Sequence, residues 1–341
     1  MITYTLKIVE ILRETEDACT ICFKQPALRK IQYVSGQYIT LIITINNRKY
    51  KRPYSLSSSP GIDSTLNITV KRLLHGIVSN HLMDVIKEGD LLEVMEPIGD
   101  FVYKTDIHYN NELFLWGAGS GITPLMSILK TALHANVQRI ILSYCNKSLE
   151  KTIFYGQLVQ FKKQYVNQFS LRLFCTEEEK LDAKYGRINA DDVAKVFEDI
   201  KDKKKTIHYI CGPIGLKETV KNELLNQGLT RDQIFSEDFE HIINENELKE
   251  IQSRFIEIIK GNDRFKIEVV RGKSILEAGL DRQIDLPYSC QTGSCTLCKA
   301  KLISGEVKKI STEASEHKLE DNERLLCCSY PLTDNIIFEI D

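Results

Sequence analysis

No apolar run in the chain reaches the roughly 18 residues that a membrane-spanning helix needs. The opening residues Met1-Ile2-Thr3-Tyr4 begin a strand-like pattern, not the basic-then-apolar pattern of a secretory leader. Both absences point to a soluble, cytoplasmic protein without a membrane span. Charge of one sign is lacking too: 45 Lys and Arg stand against 47 Asp and Glu, a net charge of −2. That removes any global electrostatic case for binding nucleic acid. No internal repeat and no low-complexity tract appears. What remains is an ordinary globular composition, 43% apolar and 27% charged, over 341 residues. At about 100 to 200 residues per domain, the length predicts two or three domains.

The cysteines carry the sharpest signal. Three of the ten, Cys290, Cys295 and Cys298, fall at C-x4-C-x2-C spacing within Tyr288-Ser289-Cys290-Gln291-Thr292-Gly293-Ser294-Cys295-Thr296-Leu297-Cys298-Lys299. A further pair, Cys327-Cys328, follows about thirty residues on. Thiolates suit iron, and Gly293 with the small Ser289 and Ser294 lets backbone amides turn inward toward cluster sulfides, so this is a ligand set for a 2Fe-2S cluster. Structural zinc is the competing reading, although zinc sites favour paired C-x2-C knuckles over an adjacent Cys-Cys. A disulfide framework fits poorly, because the other cysteines are scattered singly through apolar segments. The cysteine loop resembles the plant-type ferredoxins. In their closing element a ligand cysteine stands four positions before a proline, and in Leu325-Leu326-Cys327-Cys328-Ser329-Tyr330-Pro331 that frame implies Cys327 as the fourth ligand. Cys328 is then an extra packed thiol, expected on the opposite side if the segment is extended.

The first hundred residues read as β structure, with β-rich runs at 4–9, 19–23, 38–43, 67–70 and 91–95 separated by turn residues. Short strands at this spacing predict a small antiparallel β-barrel. Within it lies Arg52-Pro53-Tyr54-Ser55, and this resembles the Arg-x-Tyr-Ser flavin motif of the ferredoxin reductase-like flavoproteins. The resemblance implies that Arg52 neutralises phosphate, Tyr54 stacks on the flavin ring and Ser55 hydrogen-bonds near its N5. Forked cation, aromatic face and hydroxyl suit those tasks. Val70-Lys71 leads through Gly76-Ile77-Val78-Ser79 into a helix whose free amides make a phosphate seat. The family uses a Gly-x-x-Ser segment there, which implies FAD and not FMN. Pro97-Ile98-Gly99-Asp100-Phe101 resembles its barrel-closing turn, while His75 and His81 receive no role.

From Glu112 strands alternate with helices, the signature of an α/β domain with a parallel sheet. The strand Leu113-Phe114-Leu115-Trp116 feeds Gly117-Ala118-Gly119-Ser120-Gly121-Ile122-Thr123-Pro124 and then a helix, a turn able to bring amides to a dinucleotide pyrophosphate. It resembles the family's nicotinamide-dinucleotide loop. The strand 206–210 ends at Cys211-Gly212-Pro213, and Ile234-Phe235-Ser236-Glu237-Asp238-Phe239 resembles the closing element of the reductase unit. By that likeness Cys211 lies beside the nicotinamide, Glu237 faces both rings and Phe239 shields the flavin. After the strand 139–144, Lys147 with Ser143 and Ser148 favours NADPH over NADH, with Glu150 as the dissenting charge.

Residues 240–249 read as a linker. A hairpin at 254–259 and 265–270, a helix with capping-box spacing at Ser274 and Glu277, the cysteine loop and a last strand at 336–340 resemble a β-grasp ferredoxin. The expected organisation is therefore multidomain: an antiparallel β-barrel flavin domain at 1–107, an α/β parallel-sheet NAD(P)-binding domain at 108–239 and an α+β β-grasp ferredoxin domain at 250–341. A hydride donor gives two electrons together and the cluster takes one, so flavin in the middle implies an NAD(P)H-dependent reductase. Its resemblance is to reductase components of oxygenases, of the phenylacetyl-CoA oxygenase type, with an external oxygenase component as electron acceptor. Alternatives are a hybrid-cluster protein, a desaturase or a carrier protein as client, or a non-enzymatic redox-sensing module.

Overall fold

The computed structural model describes residues 2–28, 30–105, 111–135, 137–198, 200, 202–239, 243, 245–310 and 319–340. The expected domain boundary at 107/108, and residues 240–242 and 244 of the expected linker, lie outside them. The chain divides into two compact units, Met1–Ile45 with Arg52–Glu237, and Asn46–Lys51 with Asp238–Asp341.

The strands β1 (Thr3–Thr15), β2 (Ala18–Lys24), β3 (Tyr38–Ile45), β4 (Arg48–Ser55), β5 (Thr65–Lys71) and β6 (Leu91–Met95) form a sheet in the order β4-β3-β6-β1-β2-β5, which belongs to the first unit apart from the start of β4, Arg48 to Lys51. β1 runs past the expected 4–9 because it serves two partners. Residues 3–7 pair with β6 and residues 8–15 with β2, and a register shift at Ile8/Glu10 bends the strand between them. Beyond β4 the sheet curls shut: Leu56 bridges Ile68 of β5, and Ser57 N donates to Asn67 O at 2.9 Å. Helix α1 (Ile77–Asp84) follows β5.

The same unit continues with β7 (Glu112–Ala118), α2 (Ile122–His134), β8 (Ile140–Asn146), α3 (Tyr155–Gln164), β9 (Phe169–Cys175), β10 (Lys184–Tyr185), α4 (Ala190–Ala194), β11 (Thr206–Cys211), α5 (Ile214–Asn226) and β12 (Ile234–Glu237). The sheet order is β10-β9-β8-β7-β11-β12, and all pairings are parallel. Both faces are buried, one against Leu125, Leu129 and Tyr144, the other against Phe197, Val220 and Leu224. That explains why its strands read as continuous apolar runs. Chain order reverses between β7 and β11, which opens a crevice at their carboxyl ends, the place where doubly wound sheets bind ligands. Barrel and sheet are locked together by Lys130 on α2, 3.1 Å from Asp63, and by Ser127 Oγ donating to Ser58 O at 2.6 Å.

The second unit holds β13 (Arg254–Lys260), β14 (Asp263–Val269), α6 (Ile275–Asp281), β15 (Lys299–Ser304), β16 (Val307–Lys309), β17 (Glu323–Leu325), β18 (Ser329–Pro331) and β19 (Ile337–Ile340). Its main sheet, β14-β13-β19-β15-β17, is mixed: β13 and β19 run parallel and the remaining pairs antiparallel. With α6 packed on it through Ile275, Leu276 and Ala278, this is the expected β-grasp. The capping box is present, Ser274 Oγ accepting from Glu277 N at 3.2 Å and Glu277 Oε2 from Ser274 N at 2.8 Å.

Candidate active site

The Arg-x-Tyr-Ser motif forms the end of β4, which the alternation of a strand explains: Tyr54 is half-buried and Ser55 is buried beside it. Ser55 Oγ donates to Glu237 Oε2 at 3.3 Å. Glu237 ends β12 opposite Cys211, the last residue of β11. Ser55, Cys211 and Glu237 thus converge in one unit. Cys211 is fully buried; burial first, and the Glu237 carboxylate second, hold its thiol well above the ordinary range. It stays protonated, and its place is that of a packing wall and not of a nucleophile.

The crevice beside this group is built backbone against backbone. Cys211 pairs with Gly117, and a Cβ on Gly121 would fall 2.1 Å from the Cys211 carbonyl oxygen, so only glycine lets the loop after β7 approach the end of β11. Gly119 takes φ 53°, and its carbonyl accepts from the Tyr144 hydroxyl at 2.9 Å. Ser120 O accepts from Thr123 Oγ1 at 3.0 Å, Pro124 lies in the first turn of α2, and Gly212-Pro213 opens α5. The Lys71 ammonium, near Asp17 at 3.8 Å, stands 3.9 Å from where a Gly119 Cβ would lie. One cation from the barrel therefore reaches the loop of the parallel sheet. The open cradle over Gly119, with Lys71 at its edge, fits a pyrophosphate.

Val70 is buried at the end of β5, and the turn beyond it is clamped onto α1: Ser79 Oγ accepts from Leu73 N at 3.1 Å, and Asn80 Nδ2 donates to Gly76 O at 2.6 Å. Gly76 is the N-cap of α1, with Ile77 and Val78 in its first turn. The helix start is thus preformed for phosphate.

Sequence reasoning missed four neighbours. Lys147 forms an ion pair at 2.8 Å with Glu177, just past β9, and both side chains are exposed. The pairing raises the lysine and lowers the carboxylate from their ordinary values. Lys217, in the first turn of α5, sits near Cys211, and burial lowers its ammonium. Tyr144 pins the loop, and the buried Asn146 amide beside it makes no hydrogen bond of normal geometry among the described residues. Only Tyr144 and Asn146 carried a signal, being polar at the end of an otherwise apolar strand. Phe239 is exposed and falls with the second unit, two residues beyond β12.

In the second unit the cysteine loop is wound by positive φ at Gln291 (61°), Gly293 (88°) and Thr296 (58°). Such reversals turn successive amides inward, and Thr292 N donates to Cys290 Sγ at 3.4 Å. Cys290, Cys298 and Cys327 are buried and Cys295 is partly exposed. The thiols crowd in overlapping pairs, Cys290 with Cys295 and with Cys327, and Cys298 with Cys327. Donation from Cys295 and Cys327 holds Cys290 strongly toward the thiolate, while Cys327, as the donor to Cys290 and Cys298, is pushed the other way. Among the described residues no three His, Cys, Asp or Glu side chains meet the geometry of a single ion. The fit to a two-iron cluster rests on the donor set, four thiols on one folded loop and a neighbouring turn. One expectation fails. Leu326–Cys328 is a 3-10 turn and not an extended segment, so Cys328 is not on the side opposite Cys327; their sulfurs are 3.6 Å apart.

Residues 5–103 match the oxidoreductase FAD-binding domain, 115–222 the oxidoreductase NAD-binding domain and 258–332 the 2Fe-2S iron-sulfur cluster binding domain. The ferredoxin reductase component of 3-ketosteroid-9-alpha-monooxygenase from Rhodococcus rhodochrous is 30% identical, over 98% of this chain and 96% of its own. One of the polypeptides of 1,2-phenylacetyl-CoA epoxidase from Escherichia coli is 27% identical, over 99% of this chain and 98% of its own. The fold of phthalate dioxygenase reductase superposes with a TM-score of 0.71 at 21% identity, covering 99% of this chain and 98% of that one. Among the described residues no helix is long and apolar enough to cross a membrane. Identity of 30% sustained over nearly the whole of both chains, with three cofactor domains in one order, makes this chain a member of the ferredoxin reductase-like flavoproteins with a C-terminal 2Fe-2S domain, an oxidoreductase family.

Proposed function

We propose that the protein is the reductase component of an oxygenase, taking hydride from NAD(P)H and handing single electrons to a separate oxygenase protein. The observation that carries this is the complete set of three cofactor domains, in a chain whose relatives are named as parts of oxygenase systems. FAD, when bound, supplies the change from paired to single electrons. Arg52 and the start of α1, from Gly76 to Ser79, would hold its phosphates, and Tyr54 would lie against its ring. Gly117, Gly119, Ser120, Gly121, Thr123 and Pro124, with Lys71, would cradle the nicotinamide donor's pyrophosphate. Cys211, Gly212 and Pro213 would form the wall behind its ring. Ser55, held by Glu237, would present a hydroxyl at the reacting edge of the flavin. Cys290, Cys295, Cys298 and Cys327 would ligate the cluster. A cytoplasmic location suits ten unbridged cysteines and a pyridine-nucleotide donor.

The Lys147–Glu177 pair bears on the donor. A carboxylate there accepts from a ribose hydroxyl and repels a 2′-phosphate, so the pair neutralises the cation on which the expectation of NADPH rested, and we infer NADH as the preferred donor in its place. Glu177→Gln frees the lysine and raises the NADPH-to-NADH ratio of kcat/KM at least about fivefold; an unmoved ratio removes the pair from donor selection. The client is tested by adding an oxygenase component. NADH oxidation coupled to oxygenation, and uncoupled by Cys290→Ser, is the expected result. A wild type that reduces cytochrome c yet supports no oxygenase points to another client.

A further inference from the structure

Cys328 is the cysteine that the ligand set leaves over, and the fold brings it closer to that set than an extended strand would. In the 3-10 turn Leu326–Cys328, neighbouring side chains are about 120° apart instead of opposed. Cys328 Sγ lies 3.6 Å from Cys327 Sγ, within sulfur hydrogen-bonding range, and the residue is 1% exposed. The turn is held on several sides. Leu326 N donates to Cys298 O at 3.0 Å, Ile310 N to Cys328 O at 2.9 Å, and Ser329 Oγ to Leu325 O at 2.8 Å. The pair of sulfurs is therefore fixed relative to the Cys298 end of the cysteine loop.

A cysteine sulfur bound to iron can only accept a hydrogen bond, whereas a thiol S–H can donate one, so of the two sulfurs in contact Cys328 is the one placed to donate. We propose that Cys328 is a positioning residue for the iron-sulfur cluster: its S–H donates to the Cys327 sulfur and makes the cluster easier to reduce. This rests on the reading of Cys327 as the fourth ligand. Reduction places added negative charge on the iron-sulfur core and its thiolates. A donor at one thiolate stabilises the reduced form more than the oxidised form and so raises the potential. In a site this dry the effect is not shared with water.

The test is an anaerobic redox titration of the full-length holoprotein, following the EPR signal of the reduced cluster and the visible spectrum. Cys328→Ala and Cys328→Val remove the donor. Either should keep the 2Fe-2S spectrum while lowering the reduced-to-oxidised ratio at a fixed potential three- to tenfold, tenfold being about 59 mV for one electron. Cys328→Ser keeps a donor and should stay nearer the wild type than either. A non-donating variant that titrates with the wild type, or a serine variant shifted as far as alanine, overturns the proposal. Loss of the cluster in all three Cys328 variants with its retention in Cys327→Ser makes Cys328 the ligand and also overturns it. A wild type without a 2Fe-2S signal contradicts the parent reading instead.

Discussion

Ser55 and Glu237 are 182 residues apart in the chain and 3.3 Å apart in space, and that single hydrogen bond defines what the active site asks of its residues. Ser55→Ala should slow flavin reduction about tenfold or more, close to 1.4 kcal/mol in the barrier, while donor binding changes less than about threefold; stopped-flow bleaching of the flavin separates the two. A second residue predicts a pH effect. His208 is fully buried, accepts from Trp116 Nε1 at 3.2 Å through Nδ1 and stacks on Phe114, and burial lowers its pKa from 6.5 to about 3. The folded state holds it neutral, so its contribution is present above pH 6.5 and is lost as pH falls from 6.5 toward 3. By pH 5 the loss should be about 2 kcal/mol, read from urea unfolding at pH 7 and 5 and flattened in His208→Gln. Motif residues such as Arg52 and Cys290 were legible because their chemistry requires their residue type. Glu177 and Lys217 were not, because a surface charge acquires meaning only from its neighbour in space.

The elements place these residues, and the strand-to-turn-to-helix run from β7 into α2 is the clearest instance. Its glycines were readable in sequence as a dinucleotide loop. Why Gly121 must be glycine was not, since the obstructing atom is the carbonyl of Cys211 on β11. Gly121→Ala drives a Cβ into that oxygen and displaces the loop. The KM for the nicotinamide donor should rise at least about tenfold with the bound flavin retained, as steady-state kinetics and flavin content will show. Alternation and turn residues foretold the barrel, the hairpin and the capping box. They did not foretell the 3-10 turn at Cys327, where apolar residues and cysteines fit a strand equally well and the partner at Cys298 O decides. The length of β1 escaped for a related reason: its second half is a strand only because β2 pairs with it.

At the scale of the whole molecule, two electrons enter through one unit and single electrons leave through the other, so the order of reduction is flavin first and cluster second. Cys290 is the proposed ligand whose loss should cut that order at one point without touching the flavin or donor residues. Anaerobic NADH is added to wild type and to Cys290→Ser, and flavin absorbance, the EPR signal of the reduced cluster and cytochrome c reduction are followed together. The wild type should bleach its flavin, develop the cluster signal and reduce cytochrome c. The variant should bleach its flavin at the wild-type rate, show no cluster signal and lose at least about nine-tenths of its cytochrome c activity. A variant that reduces cytochrome c as fast as the wild type, or a wild type whose cluster stays oxidised while its flavin is reduced, contradicts electron exit through the cluster.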